Sequence, residues 1–125
     1  LELMKKNKAD FNNTFLSLSR DYNLKNIIIN DSNFILWKKK WKNNIDKFSN
    51  KKDANYLMKS QNPIVIPRNN LIEESIKEAD NKNIKPLKKL LDVLKNPYTE
   101  KFNLDKFIKP PGKKFEQNFR TFCGT

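Results

Sequence analysis

Apolar positions along this chain recur mostly at intervals of three and four, the spacing that lines side chains along one face of a helix. In LELMKKNKADFNNTFLSLS (1 to 19), Leu1, Met4, Phe11, Phe15 and Leu18 predict one helix with a polar gap around Asn7 and a bend at Asn12-Asn13. The triplet Ile27-Ile28-Ile29 is β-branched and too short to be a helix by itself, so it reads as a short strand or a buried linker. Residues 33 to 49 give the clearest amphipathic pattern: Phe34, Trp37, Trp41, Ile45 and Phe48 step by three and four, while Lys38 to Lys40 fall mainly on the other side. Both Trp rings are read as core, because burying such rings dominates the energetics of a small interior.

KKDANYLMKS extends this into a further short helix that stops at Asn62-Pro63, since the residue before Pro avoids the α region. PIVIPR (63 to 68) has Pro near both ends and cannot be helical in its middle, which predicts an extended, partly buried strap. Asn70 with Glu73 forms a capping-box pattern that opens a helix carrying Leu71, Ile72, Ile76 and Ala79 and ending near Asp80. A second helix begins around Pro86, shows Leu87, Leu90, Leu91 and Leu94 as a one-sided stripe, and stops at Asn96-Pro97. A polar link at Asn81 to Lys85 joins the two as a helical hairpin. Beyond them Tyr98, Phe102, Leu104, Phe107, Phe115, Phe119 and Phe122 are scattered among Lys around a turn at Pro110-Pro111-Gly112, a tail expected to pack along another surface.

The expected fold is therefore mostly α, about five helices with extended connecting straps, forming one helical region over 1-125. A hydrophobic fraction of 37% against 32% charged residues makes the core thin. One Cys and no His exclude a Cys/His zinc site, a disulfide within the chain, and both Ser-His-Asp and Cys-His catalytic pairs. No apolar run approaches a membrane span and no signal peptide is visible. Leu1 stands in mid-pattern rather than at a Met start, which suggests that the sequence begins inside a longer chain.

A formal charge of +12 would attract phosphates or acidic partners within a Debye length. Nearly all of it is Lys, with Arg only at positions 20, 68 and 120, and a Lys/Asn excess is what an AT-rich genome writes on exposed positions. Nucleic-acid readout usually leans on Arg forks. The stripe Lys38 to Lys42 is read first as a solvated face and second as a phosphate-binding one whose affinity would collapse with salt.

Four strings in order carry a family likeness: NPIVIPRNNLIEE (62 to 74), LLDVLKNPY (90 to 98), Pro110-Pro111 and the terminal FRTFCGT (119 to 125), preceded by KADFNNTFLSLS (8 to 19). Together they resemble the C-terminal end of the selenoprotein O family, also called YdiU or UPF0061. The resemblance implies that the parent protein is a pseudokinase-like protein adenylyltransferase, moving AMP from ATP to Ser, Thr or Tyr hydroxyls with Mg or Mn. The residues for that chemistry lie upstream in such proteins; here there is no glycine-rich loop, catalytic-loop signature or metal-binding Asp motif. This chain is thus expected to be non-catalytic, without a cofactor or metal of its own, and to brace the kinase-like core of the same parent chain. The likeness departs from the family between Asp21 and Asn55, and at Asn70, where relatives often have His.

Two residues stand out as candidate sites. Cys123 occupies the place where the family has cysteine or selenocysteine, and the resemblance implies a redox latch onto the kinase-like core, since accessibility and thiolate character govern oxidation. Arg68, after Pro67, could contact phosphate or form a structural ion pair with Glu73 or Glu74. Partners are then the core and the parent's protein substrates, with nucleic acid disfavoured and no membrane; the location is cytoplasmic, or mitochondrial in a eukaryote. Two other classes remain: an independent basic helical module for nucleic acid, and a helical protein-interaction domain with no enzymatic parent.

Overall fold

Asp10 interrupts what the apolar spacing marks as a single helix. Its carboxylate accepts the backbone N–H of Asn13 at 2.8 Å, the geometry of a helix start, so α1 (Glu2–Lys6) ends and α2 (Phe11–Ser19) begins anew. The expected bend at Asn12-Asn13 is replaced by a break upstream of it, around Lys8, which takes the left-handed φ of 49°. Ala9 N donates to Met4 O and Lys8 N to Lys5 O, the paired bonds of a Schellman helix stop, with lysine where glycine is usual.

The computed structural model describes residues 1–20, 30–48, 50–100 and 103–120, so the Ile27 to Ile29 triplet lies outside the described residues. Among the described residues the chain is helical without strands, and the expectation of a mostly α fold with straps holds. Five helices have nine or more residues: α2, α3 (Ser32–Phe48), α4 (Lys51–Gln61), α5 (Asn69–Asp80) and α6 (Lys85–Leu94). Three shorter ones, α1, α7 (Asp105–Ile108) and α8 (Lys113–Asn118), complete the order. The chain clusters into two compact units, one of residues 1–64 with 97–102, the other of 65–96 with 103–125.

In the first unit, α2 hides a different face from the one its aromatic residues mark. Leu16 is fully buried among Asn13, Thr14, Ser17 and Ser19, while Phe11 is 63% exposed. Burying hydroxyls is tolerable because each is satisfied locally: Thr14 Oγ1 donates to Asp10 O, Ser17 Oγ to Thr14 O and Ser19 Oγ to Leu16 O, all within 3.0 Å. The carboxylate of Asp31 starts α3 by accepting the N–H groups of Asn33 and Phe34 at 2.9 and 3.1 Å. Asn50 starts α4 in the same way through Lys52 N, and α4 stops at Asn62 before Pro63, as expected from the sequence. α4 packs against both α2 and α3.

In the second unit the strap over Val65 to Arg68 is neither helix nor strand, Arg68 at its end is extended, and Val65 is buried. α5 begins at Asn69 with Arg68 as its N-cap and no side-chain cap bond, so the capping box read at Asn70 and Glu73 does not form; Asn70 already sits inside the first turn. α5 and α6 make the expected hairpin, and Pro86 lies in the first turn of α6 where its missing N–H costs nothing. The reversal between them repeats the α1 stop: Asn83 N donates to Glu78 O and Lys82 N to Ala79 O, with Lys82 at φ 64°. The leucine stripe is rotated from its expected register: Leu90 and Val93 are buried, whereas Leu91 is 51% exposed. Leu104, Phe107 and Ile108 are buried too, so this part of the aromatic tail is packed rather than open to solvent.

Candidate functional site

Three of the chain's features bring chemistry-bearing side chains together, and the first was not singled out in the sequence. Arg20, at the C-terminal end of α2, is buried, with 6% of its side chain exposed. Its guanidinium donates through Nη1 to Asn62 O at 2.7 Å and through Nη2 to Lys59 O at 3.0 Å and Tyr98 O at 3.3 Å. Lys59 and Asn62 are the last turn of α4 and its cap, whose carbonyls have no partner inside the helix, and a planar cation meets both the hydrogen-bonding need and the negative end of the helix dipole. Glu100 stands 3.6 Å from Nε and balances the charge. Beside this clasp, Ile64 N donates to Pro97 O at 2.7 Å. The arrangement is a structural lock, with no nucleophile or acid–base pair in it.

The second feature is α3. Phe34 is buried and lines a small apolar pocket with Leu3, Met4, Phe15 and Leu18. Along the same face Phe34 stacks on Trp37 at 5.6 Å and Trp37 on Trp41 at 5.9 Å. Trp37 is nevertheless 42% exposed and Trp41 and Ile45 are half-buried, so the Trp pair is only partly core, contrary to the expectation from the helical spacing. Lys38, Lys39, Lys40 and Lys42 are exposed. At the head of the helix, Asn7 Nδ2 donates to Asp31 at 3.0 Å and Lys6 stands 3.8 Å away. The Asn7 bond first, then the bond from Phe34 N, hold the Asp31 carboxyl below the usual aspartate range.

Arg68 is the third. It is buried at the N-terminus of α5, where its carbonyl accepts Leu71 N and Ile72 N, and it lines a shallow groove with Pro111, Phe115, Glu116 and Phe119. Phe115 and Phe119 stack at 5.1 Å along one wall. Glu74 is bonded to Lys106 at 2.6 Å, and Glu73 faces a neighbouring groove with Lys114 and Arg120. Cys123 lies outside the described residues. Two of the three arginines in this lysine-rich chain are thus buried, and that is the signal by which Arg20 could have been found: where Lys is the default cation, Arg marks a place that needs a fork.

Among the described residues, no group of three or more His, Cys, Asp or Glu converges where it could hold a metal ion. Nor is any described helix long and apolar enough to cross a membrane.

No protein-family profile matches the chain. No solved structure matches it either. Curated relatives do, along its whole length: the protein nucleotidyltransferase YdiU of Pelagibacter ubique is 39% identical over 126 residues, that of Bacillus cereus 36% over 127, and that of Clostridium perfringens 36% over 126. In each the chain spans only 26% of the relative's length. The stretch between Asp21 and Asn55, where the sequence carries no recognisable family wording, is included in these matches. The chain belongs to the YdiU nucleotidyltransferase family and corresponds to a C-terminal portion of its members.

Proposed function

We propose that this region is the non-catalytic C-terminal helical part of a protein adenylyltransferase, in which it braces a kinase-like core carried by the rest of the parent chain. The observation that carries the reading is the full-length match to nucleotidyltransferases at 26% of their length. A region of that kind shares its apolar surface with the remainder of its chain, and the half-open aromatic face of α3 is a surface of that sort. ATP and a divalent cation would be bound by the core, and AMP would be transferred there to hydroxyl side chains of other proteins in the cytoplasm. The test is transfer of labelled AMP from ATP to protein by the full-length parent. Transfer that is present in the parent and falls when Leu16→Ala loosens this region supports the reading; a parent that transfers no nucleotide overturns it.

Cys123 is proposed as a redox latch: its thiol and a second thiol in the core lose two protons and two electrons to a peroxide, which leaves as water, and a disulfide forms. Peptide mass spectrometry of the oxidised parent should find Cys123 cross-linked and Cys123→Ser should abolish the link. A Cys123 found only as thiol or sulfinic acid after oxidation would remove the latch from the proposal.

A further inference from the structure

The aromatic face of α3 is finished at one end and unfinished at the other. Phe34 is buried, and Trp37 joins it in lining a pocket with Leu3, Met4, Phe15 and Leu18, yet Trp37 keeps 42% of its surface and the stack continues from it to half-buried Trp41. At 3.6 residues per turn, Phe34, Trp37, Trp41 and Ile45 form one seam, with Lys38 and Lys42 on one flank and Lys40 on the other. The spacing is that of helices which lay anchors into a groove. Stacked rings already held in place lose little freedom when they are covered.

We infer that the Trp37–Trp41–Ile45 seam of α3 is the seat of an apolar surface with an acidic rim, located in the part of the parent chain that the 26% span leaves out. This deepens the bracing reading and rests on it, by naming the face and the chemistry of its partner. The occupant is chosen on two grounds. Relatives of this chain are several times longer, so most of the polypeptide is tethered to this region, and a tethered surface acts at an effective concentration on the order of mM. The flanks of the seam are lysine, so the matching rim must carry carboxylates.

A photo-crosslinking phenylalanine analogue placed at position 37 of the full-length parent tests this, with the same probe at Asn43 on the far side of α3 and at exposed Leu91 in the other unit as comparisons. The seam is the seat if position 37 gives intrachain cross-links in the monomer to peptides preceding this region, several-fold above position 43, and if Lys38→Glu with Lys40→Glu reduces that yield. Cross-links only between two copies overturn it, as does cross-linking at 37 no greater than at 43. Lysine-dependent binding of phosphatidylserine vesicles or of a single-stranded oligonucleotide that displaces the position-37 cross-link also overturns it. If position 37 fails while position 91 cross-links upstream, only this surface falls and bracing stands; if both fail, bracing falls as well.

Discussion

The guanidinium of Arg20 donates to the carbonyl of Asn62 at 2.7 Å, closing α2 onto the end of α4 across 42 positions of sequence. Replacing it leaves the part-buried carbonyl bonds at Lys59, Asn62 and Tyr98 without this donor. Arg20→Met should therefore cost about 3 kcal/mol in urea unfolding of the parent protein. Arg20→Lys should recover less than half of that, because an ammonium cannot hold several carbonyls at fixed angles. Equal stability of Arg20→Met and the native chain would show that the clasp is incidental.

Asp31 supplies a pH dependence whose sign is fixed. Its folded carboxyl titrates below the unfolded one, so its contribution is present above the unfolded value and is lost as pH falls through the folded value. Asp31→Asn keeps a cap oxygen but loses the charge beside Lys6. The variant should melt below the native protein at neutral pH, and the two melting curves should converge in strong acid. A gap that persists or widens there would contradict the assignment.

The register of α6 separates two adjacent leucines. Leu90→Ala should destabilise by about 2–5 kcal/mol, the cost of emptying a packed site. Leu91→Ala should stay within about 0.5 kcal/mol of the native chain. Similar losses at both positions would restore the unrotated stripe.

The ion pair between Lys106 and Glu74 is short at 2.6 Å but lies on the surface, with 61% and 46% of the two side chains exposed. Glu74→Gln should change stability by roughly 0.2–1 kcal/mol at most, and added salt should erase the difference.

Helix positions were legible because apolar spacing and proline are local signals: α3, the stop of α4 at Asn62 and the start of α6 at Pro86 follow from them. What the pattern could not supply was the choice among apolar faces. Leu91 is as greasy as Leu90, and only the position of α5 decides which is covered. On α2 the apolar spacing marked only one of two covered sides: Phe15 and Leu18 line the pocket around Phe34, whereas Thr14, Ser17 and Ser19 look like solvent residues until their hydroxyls are seen turned back onto their own helix. The Arg20 clasp joins segments far apart in sequence, and spacing carries no trace of such a contact. The family likeness was readable from short strings, of which NPIVIPRNNLIEE, LLDVLKNPY and Pro110-Pro111 contain proline.

Lys8 and Lys82 hold the left-handed positions that end α1 and α5, in a chain with only two glycines. A Cβ in that conformation is disfavoured by roughly 1–2 kcal/mol, so these two reversals are loosely seated joints and should fray first. Amides of Ala9 and Asn83, whose bonds close them, should exchange with deuterium ahead of those in the helix interiors. Lys8→Gly with Lys82→Gly should slow that exchange and raise the melting temperature, leaving an evolutionary reserve of rigidity that this sequence has not drawn upon.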